Sequence, residues 1–117
     1  MATVMIVDDS RVQRKTMRIL LEKFGYTVCA EAGNGKEAVE LYREFEPDIV
    51  TMDITMPVMT GVEASKIIME EYPSAQIIII TSLDQERSLE IANEYGVKSY
   101  IIKPITEEAL KQALDSL

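Results

Sequence analysis

Four places in this chain put residues capable of chemistry directly after an apolar run: Asp8-Asp9, Asp53, Thr81-Ser82 and Lys103. Carboxylates held close together repel one another, and a divalent cation is the simplest remedy. With no His and a single Cys in the chain, that ion must be held by oxygen, which points to a hard cation such as Mg²⁺. The carboxylates would share it with waters and with a backbone carbonyl from the loop after Asp53. Acid, cation, lysine and hydroxyl together describe a place for a phosphoryl group. Asp53 is the candidate nucleophile, forming an acyl phosphate by attack on phosphorus. Mg²⁺ and Lys103 would spread over the non-bridging oxygens and the Thr81 hydroxyl would donate to one of them, so the catalysis is mainly electrostatic.

Such a set is useful only if the fold brings it to one edge. Short β-branched or apolar runs at Thr3 to Val7, Thr27 to Ala32, Ile49 to Met52, Gln76 to Ile80 and Ser99 to Ile102 read as strands, and the third and fourth read as buried on both faces. Helical segments separate them. Ser10-Arg11-Val12-Gln13 is a capping box before the stripe Met17, Leu20, Leu21, Phe24, and Gly25 closes that helix. Asn34 caps a second helix with Ala38, Leu41, Tyr42 and Phe45 inward, ended by Pro47-Asp48. Met56-Pro57 breaks the chain after Asp53, and the box Thr60-Gly61-Val62-Glu63 starts a third helix running to about Tyr72, with Ala64, Ile67 and Ile68 inward. A weaker helix is expected from Asp84 to Tyr95, with Leu89, Ala92 and Tyr95 inward, and a last one begins at the N-cap Thr106 and buries Leu110, Ala113, Leu114 and Leu117. Strand then helix, five times over, predicts an α/β fold: an open, doubly wound parallel sheet covered on both faces. All parallel strands point their carboxyl ends to one edge, where ligands of such sheets bind.

A chain of 117 residues suits one domain, 1–117. Its formal net charge of −8 opposes nucleic-acid backbones and anionic lipid, so no direct nucleic-acid contact is expected. The apolar runs are far short of a membrane span and no basic-then-apolar leader opens the chain, which together predict a cytoplasmic protein without membrane insertion. Cys29, between Val28 and Ala30, reads as a buried spectator thiol. The Met52, Met56 and Met59 cluster reads as gap-filling, and Glu37, Glu40, Glu44 and Glu46 as a solvated helix face.

The order Asp8-Asp9, then Asp53 with D-x-x-M-P-x-x-x-G to Gly61, then Thr81-Ser82, then Lys103-Pro104 resembles the response-regulator receiver domain of two-component signalling, closest in type to the single-domain chemotaxis regulators. The resemblance covers essentially the whole chain. It implies five strands in the order 2-1-3-4-5 with five helices, a flavodoxin-like fold. It implies that Asp53 accepts phosphoryl from a histidine kinase or a small donor such as acetyl phosphate, with no enzymatic activity beyond that self-catalysed transfer and its slow hydrolysis. Asp9, Asp53 and the Thr55 carbonyl would bind Mg²⁺ directly and Asp8 through water. The Lys103-Pro104 bond would be cis. Thr81 and Tyr100 stand at the positions that switch, and output would leave through the fourth helix, fifth strand and fifth helix toward a protein such as the flagellar switch or a relay protein. Thr55 and Leu83 occupy the positions that tune phosphoryl lifetime, and neither brings a carboxylate or amide to orient water. The start at Met and the absence of a linker favour a free-standing regulator over a receiver cut from a longer one.

Two rivals compete. Gly33-Asn34-Gly35-Lys36-Glu37-Ala38 matches the dinucleotide pattern G-x-G-x-x-A, although it follows the second strand and a tight turn with an N-cap explains it. A haloacid-dehalogenase-like phosphatase uses similar groups, but with the nucleophile first in the chain and the acid pair last. A third reading keeps the fold as a non-phosphorylated adaptor.

Overall fold

The computed structural model describes residues 2–117. Its elements run β1 (Thr3–Val7), α1 (Arg11–Lys23), β2 (Thr27–Ala32), α2 (Gly35–Phe45), β3 (Ile49–Asp53), α3 (Gly61–Glu71), β4 (Ile77–Thr81), a single 3₁₀ turn (Leu83–Gln85), α4 (Glu86–Glu94), β5 (Ser99–Ile102) and α5 (Glu107–Asp115). The strands form one parallel sheet in the order β2-β1-β3-β4-β5. Among the described residues, no helix is long and apolar enough to cross a membrane.

Successive side chains of a strand point to opposite faces, and here both faces are apolar because both are covered. Met5, Val7, Val50, Met52, Ile77 and Ile79 pack with Ala38 and Tyr42 of α2, Ile68 of α3 and Ala92 of α4. Val4, Ile6, Ile49, Ile78, Ile80 and Ile101 pack with Met17 and Leu21 of α1 and Leu110 and Leu114 of α5. Thus β3 and β4 are buried throughout, as their continuous apolar runs predict.

The expected caps hold α1, α2, α3 and α5, each by a side chain that accepts from the backbone N–H three residues on: Ser10 from Gln13, Asn34 from Glu37, Thr60 from Glu63, Thr106 from Ala109. Only Thr60 among them completes the reciprocal box; the Glu37 carboxylate reaches the Gly33 N–H instead. Several apolar expectations fail at element ends. Phe45 and Leu117 are 46% and 38% exposed, because each lies on the last turn of its helix or beyond it. Val39 is buried in place of Phe45. Cys29 is only half-buried, since β2 is an edge strand, and its thiol donates to the Val4 carbonyl at 3.6 Å. The helix expected from Asp84 is a 3₁₀ turn first and α-helical only from Glu86, because Gln85 folds back to hold the Ser82 backbone N–H.

Candidate functional site

Register brings the chemistry together. Val7 pairs with Met52, Asp53 with Ile80, and Thr81 with Ile102, so Asp8, Asp53, Thr81 and Lys103 fall side by side at one rim. Strand alternation then sorts them. Asp8 continues Val4 and Ile6, Asp53 continues Ile49 and Thr51, and Lys103 continues Ile101, all toward the α1/α5 side. Thr81 continues Ile77 and Ile79 toward the opposite side, where it shares a shallow groove with Leu83, Leu89, Tyr100 and Ile102.

Asp8, Asp9 and Asp53 each offer a carboxylate oxygen within 4.8 Å of the others. Asp8 and Asp53 are buried and Asp9 is exposed, so the cluster opens to solvent through Asp9. The Lys103 ammonium lies 3.0 Å from Asp53 Oδ1. Burial pushes the Asp8 carboxyl above the ordinary range; the Asp53 and Asp9 charges push the same way, while the Ser10 N–H and Lys103 pull against them. An all-oxygen donor set that carries more negative charge than its lysine offsets fits a hard dication.

The loop after β3 closes tightly over this rim. The Gly61 N–H donates to the Ile54 carbonyl at 2.8 Å, and a Cβ on Gly61 would sit 1.9 Å from the Asp53 carbonyl oxygen. That contact explains the glycine of D-x-x-M-P-x-x-x-G. Gly35 plays a similar part: its N–H donates to the Met59 carbonyl at 2.9 Å, and a Cβ there would lie 2.5 Å from the same oxygen. The chain's own loop therefore takes the close approach that a dinucleotide would need at Gly33-Asn34-Gly35. The Lys103-Pro104 peptide is cis.

Thr81 is buried, and its hydroxyl lies within reach of the Ser82 carbonyl at 3.3 Å and Gln85 Oε1 at 3.5 Å. Tyr100 is half exposed, Leu83 is 82% exposed and Thr55 is exposed.

Sequence reasoning missed two supports. The Arg14 guanidinium donates from Nη1 to the Asp8 carbonyl at 2.6 Å and from Nε to Glu31 at 3.1 Å, and Arg18 pairs with the other Glu31 oxygen at 2.6 Å. Burial pushes the Glu31 carboxyl up, but the hydrogen bonds and charges of Arg18 and Arg14 outweigh it and hold the group below its ordinary range. Gln85 is the other: it meets Ser82, Thr81 and Thr55. The pattern Ser82-x-x-Gln85, a capping box, was the available signal.

Comparison with known proteins agrees with this geometry. The model of the response regulator receiver domain matches residues 4–115. The chain is 44% identical over 114 residues to chemotaxis protein CheY of Thermotoga maritima, covering 97% of this chain and 95% of that protein. It is 40% identical over 112 residues to chemotaxis protein CheY of Bacillus subtilis, covering 96% and 93%. A chain of the CheX-CheY-BeF3-Mg complex from Borrelia burgdorferi superposes with a TM-score of 0.93 at 34% identity, covering 98% of this chain and 87% of that one.

Proposed function

The chain belongs to the response regulator receiver family, and from that premise we propose that it is a phosphorylation-operated switch of the chemotaxis type, with Asp53 as the phosphoacceptor. The observation that carries the reading is the Lys103 ammonium 3.0 Å from Asp53 Oδ1, beside three carboxylates gathered within 4.8 Å. A structural ion pair alone would not require two further acids at the same point.

In the transfer, an Asp53 carboxylate oxygen bonds to phosphorus as the phosphorus–nitrogen bond of a histidine kinase's phosphohistidine breaks, and the electron pair leaves with the imidazole. With acetyl phosphate the phosphorus–oxygen bond breaks and acetate leaves. Asp9, Asp53 and the Thr55 carbonyl would hold Mg²⁺ directly and Asp8 through water; bound there, it offsets the charge of the phosphoryl oxygens. Lys103 stays at the rim as a second positive charge for those oxygens. The fold supplies position and electrostatics and leaves little covalent chemistry to the protein, as phosphoryl transfer requires. Thr81, whose hydroxyl now meets only neutral acceptors at 3.3 and 3.5 Å, gains a stronger one in a charged phosphoryl oxygen. Its movement empties space in the groove it shares with Tyr100, and a half-exposed tyrosine can turn into it. Output then passes through α4, β5 and α5, where Tyr100 and Ile102 lie exposed and Leu83 stands exposed on the turn before α4, to a target protein such as a flagellar switch component or a relay protein.

Incubation with acetyl phosphate and Mg²⁺ followed by intact-mass measurement tests the core of this. One phosphoryl group is expected on the wild type and none on Asp53→Asn. An unmodified wild-type mass under conditions that preserve acyl phosphates overturns it. Capture of partners with and without beryllofluoride and Mg²⁺ then identifies the state-dependent target.

A further inference from the structure

Asp8 is held by its N–H, its carboxylate and its carbonyl, and the last of these is held by a side chain of α1. Its N–H donates to the Ala32 carbonyl at 3.0 Å, which carries the β1–β2 pairing one residue further. Its Oδ1 accepts from the Ser10 N–H at 2.9 Å. Its carbonyl accepts from Arg14 Nη1 at 2.6 Å, a short charge-assisted bond. That carbonyl belongs to the planar peptide from which Asp9 departs, so whatever fixes it also fixes the direction in which Asp9 leaves the strand. Asp9 is exposed, and packing therefore does little to place its carboxylate. Arg14 is itself gripped from behind: its Nε donates to Glu31 Oε1 at 3.1 Å, while Arg18 takes Glu31 Oε2 at 2.6 Å. The ends of β1 and β2 thus meet at one guanidinium of α1, whose side chain is only 18% exposed.

We infer that Arg14 is a positioning residue for the acid pair: anchored by Glu31, it fixes the Asp8-Asp9 peptide so that both carboxylates are set for a dication before one binds. The inference rests on Asp8, Asp9 and Asp53 forming the Mg²⁺ site. Arg14 has two effects of opposite sign. As a cation bonded to the Asp8 backbone it repels a dication, and by Coulomb's law alone its removal tightens Mg²⁺ binding. As a two-ended tie it spares the ion the cost of ordering the peptide, and outer-shell partners of this kind are worth about ten- to hundredfold in metal affinity. The geometry favours the second effect, because the guanidinium charge is matched by Glu31 at 3.1 Å and the bond to Asp8 goes to its carbonyl and not to its carboxylate. Lysine carries the same charge but lacks the planar fork that reaches two acceptors at once.

The test is Mg²⁺ titration by calorimetry on the wild type, Arg14→Lys, Arg14→Met, Glu31→Gln and the double variant Arg14→Lys/Glu31→Gln, each first shown to be folded by circular dichroism. Affinity is expected to fall about tenfold in both Arg14 variants. Glu31→Gln loosens the anchor and leaves Arg14 in place, so it reports even if Arg14→Met unfolds; it is expected to weaken binding, and the double variant to bind no more weakly than Arg14→Lys alone. A role confined to stability would lower the unfolding temperature and leave the affinity of the folded protein unchanged. Tighter binding in Arg14→Met would mean that Arg14 acts as a charge, an Arg14→Lys affinity equal to wild type would mean that the two-ended grip is not needed, and additive losses in the double variant would mean that Glu31 does not act through Arg14. Each of these overturns the inference while leaving the Mg²⁺ site intact. A wild type that binds no Mg²⁺ overturns the premise and the inference together.

Discussion

Replacing Gly61 by alanine sets two physical effects against each other with opposite sign. Gly61 is the first residue of α3, where helix propensity alone predicts that alanine stabilises by up to about 1 kcal/mol. The new Cβ, however, would stand 1.9 Å from the Asp53 carbonyl oxygen and 3.0 Å from the Met52 side chain. Ordinary packing requires the backbone of α3 and the end of β3 to part by more than ~1 Å, an overpacking that costs about 1–3 kcal/mol. The same shift breaks the 2.8 Å bond from the Gly61 N–H to the buried Ile54 carbonyl, for about 1–3 kcal/mol more. The net loss centres on about 3 kcal/mol, a fall of roughly 12 °C in Tm for a domain of this size. Gly25→Ala is the control. Gly25 has φ +89° with no atom within 4 Å of an added Cβ, so its cost is the left-handed backbone alone, about 1–2 kcal/mol. Urea unfolding of both variants reads the difference, and Gly61→Ala also loses phosphoryl loading because the shift carries Asp53 with it. A Gly61→Ala protein within 1 kcal/mol of wild type, or one destabilised no more than Gly25→Ala, refutes the close-approach reasoning.

Asp8→Asn should act with opposite signs on stability and on ion binding. Without divalent cation it removes repulsion from Asp53 and Asp9 and stabilises by on the order of 1 kcal/mol, while Mg²⁺ affinity falls about ten- to hundredfold; a melt in chelator and a magnesium titration check both. Since the Asp8 carboxyl titrates above its ordinary value, the stability gap to Asp8→Asn narrows as pH falls and Asp8 takes up its proton. Glu31→Gln should cost about 1 kcal/mol at neutral pH by unpairing Arg14 and Arg18. The Glu31 carboxyl is held low, so that contribution is fully present above the unfolded value of about 4.3 and disappears as pH falls through the folded value; equal gaps at pH 7 and pH 3 would count against it. Leu83→Glu or Leu83→Gln, at a position 82% exposed beside the site, should shorten the phosphoprotein lifetime; decay no faster than wild type in Mg²⁺ buffer would refute this.

The legible parts of this molecule were those written in local patterns. The continuous Ile77 to Ile80 run, too short for a helix and β-branched throughout, reads best as a doubly covered strand, and the acids, hydroxyl and lysine that end four of the five runs had to share an edge once the strands were parallel. Helix ends were less legible. Phe45 and Leu117 continue the apolar spacing of their helices, yet spacing says which face a residue occupies and nothing of whether the sheet extends beneath it. Cys29 was misplaced for a similar reason: its run is apolar, but β2 lies at the edge of the sheet and is exposed in a way the run does not encode. Arg14 and Gln85 were missed because their partners are distant in sequence. A guanidinium that reaches both Glu31 and the Asp8 carbonyl, or an amide that reaches Thr55, is a property of the assembled rim.

Alternation along the strands, a period of two, has a consequence for signalling. Asp8, Asp53 and Lys103 extend residues that pack toward α1 and α5, while Thr81, Tyr100 and Ile102 extend residues on the α4 side. A phosphoryl group on Asp53, as proposed, would thus be built on the α1/α5 face of the sheet, while the part of the output surface formed by α4, Tyr100 and Ile102 lies on the other. Between them stands a single layer of backbone, with the Lys103 N–H bonded to the Thr81 carbonyl at 2.7 Å. Only a group at the strand ends, where the sheet no longer separates the two sides, can be touched from both. Thr81 is the residue of that second set nearest Asp53 in register, one position beyond its partner Ile80, and a hydroxyl is the side chain that can exchange a neutral acceptor for a charged one without unpacking the core. The rim is therefore the place where a charge placed on one face can be felt on the other.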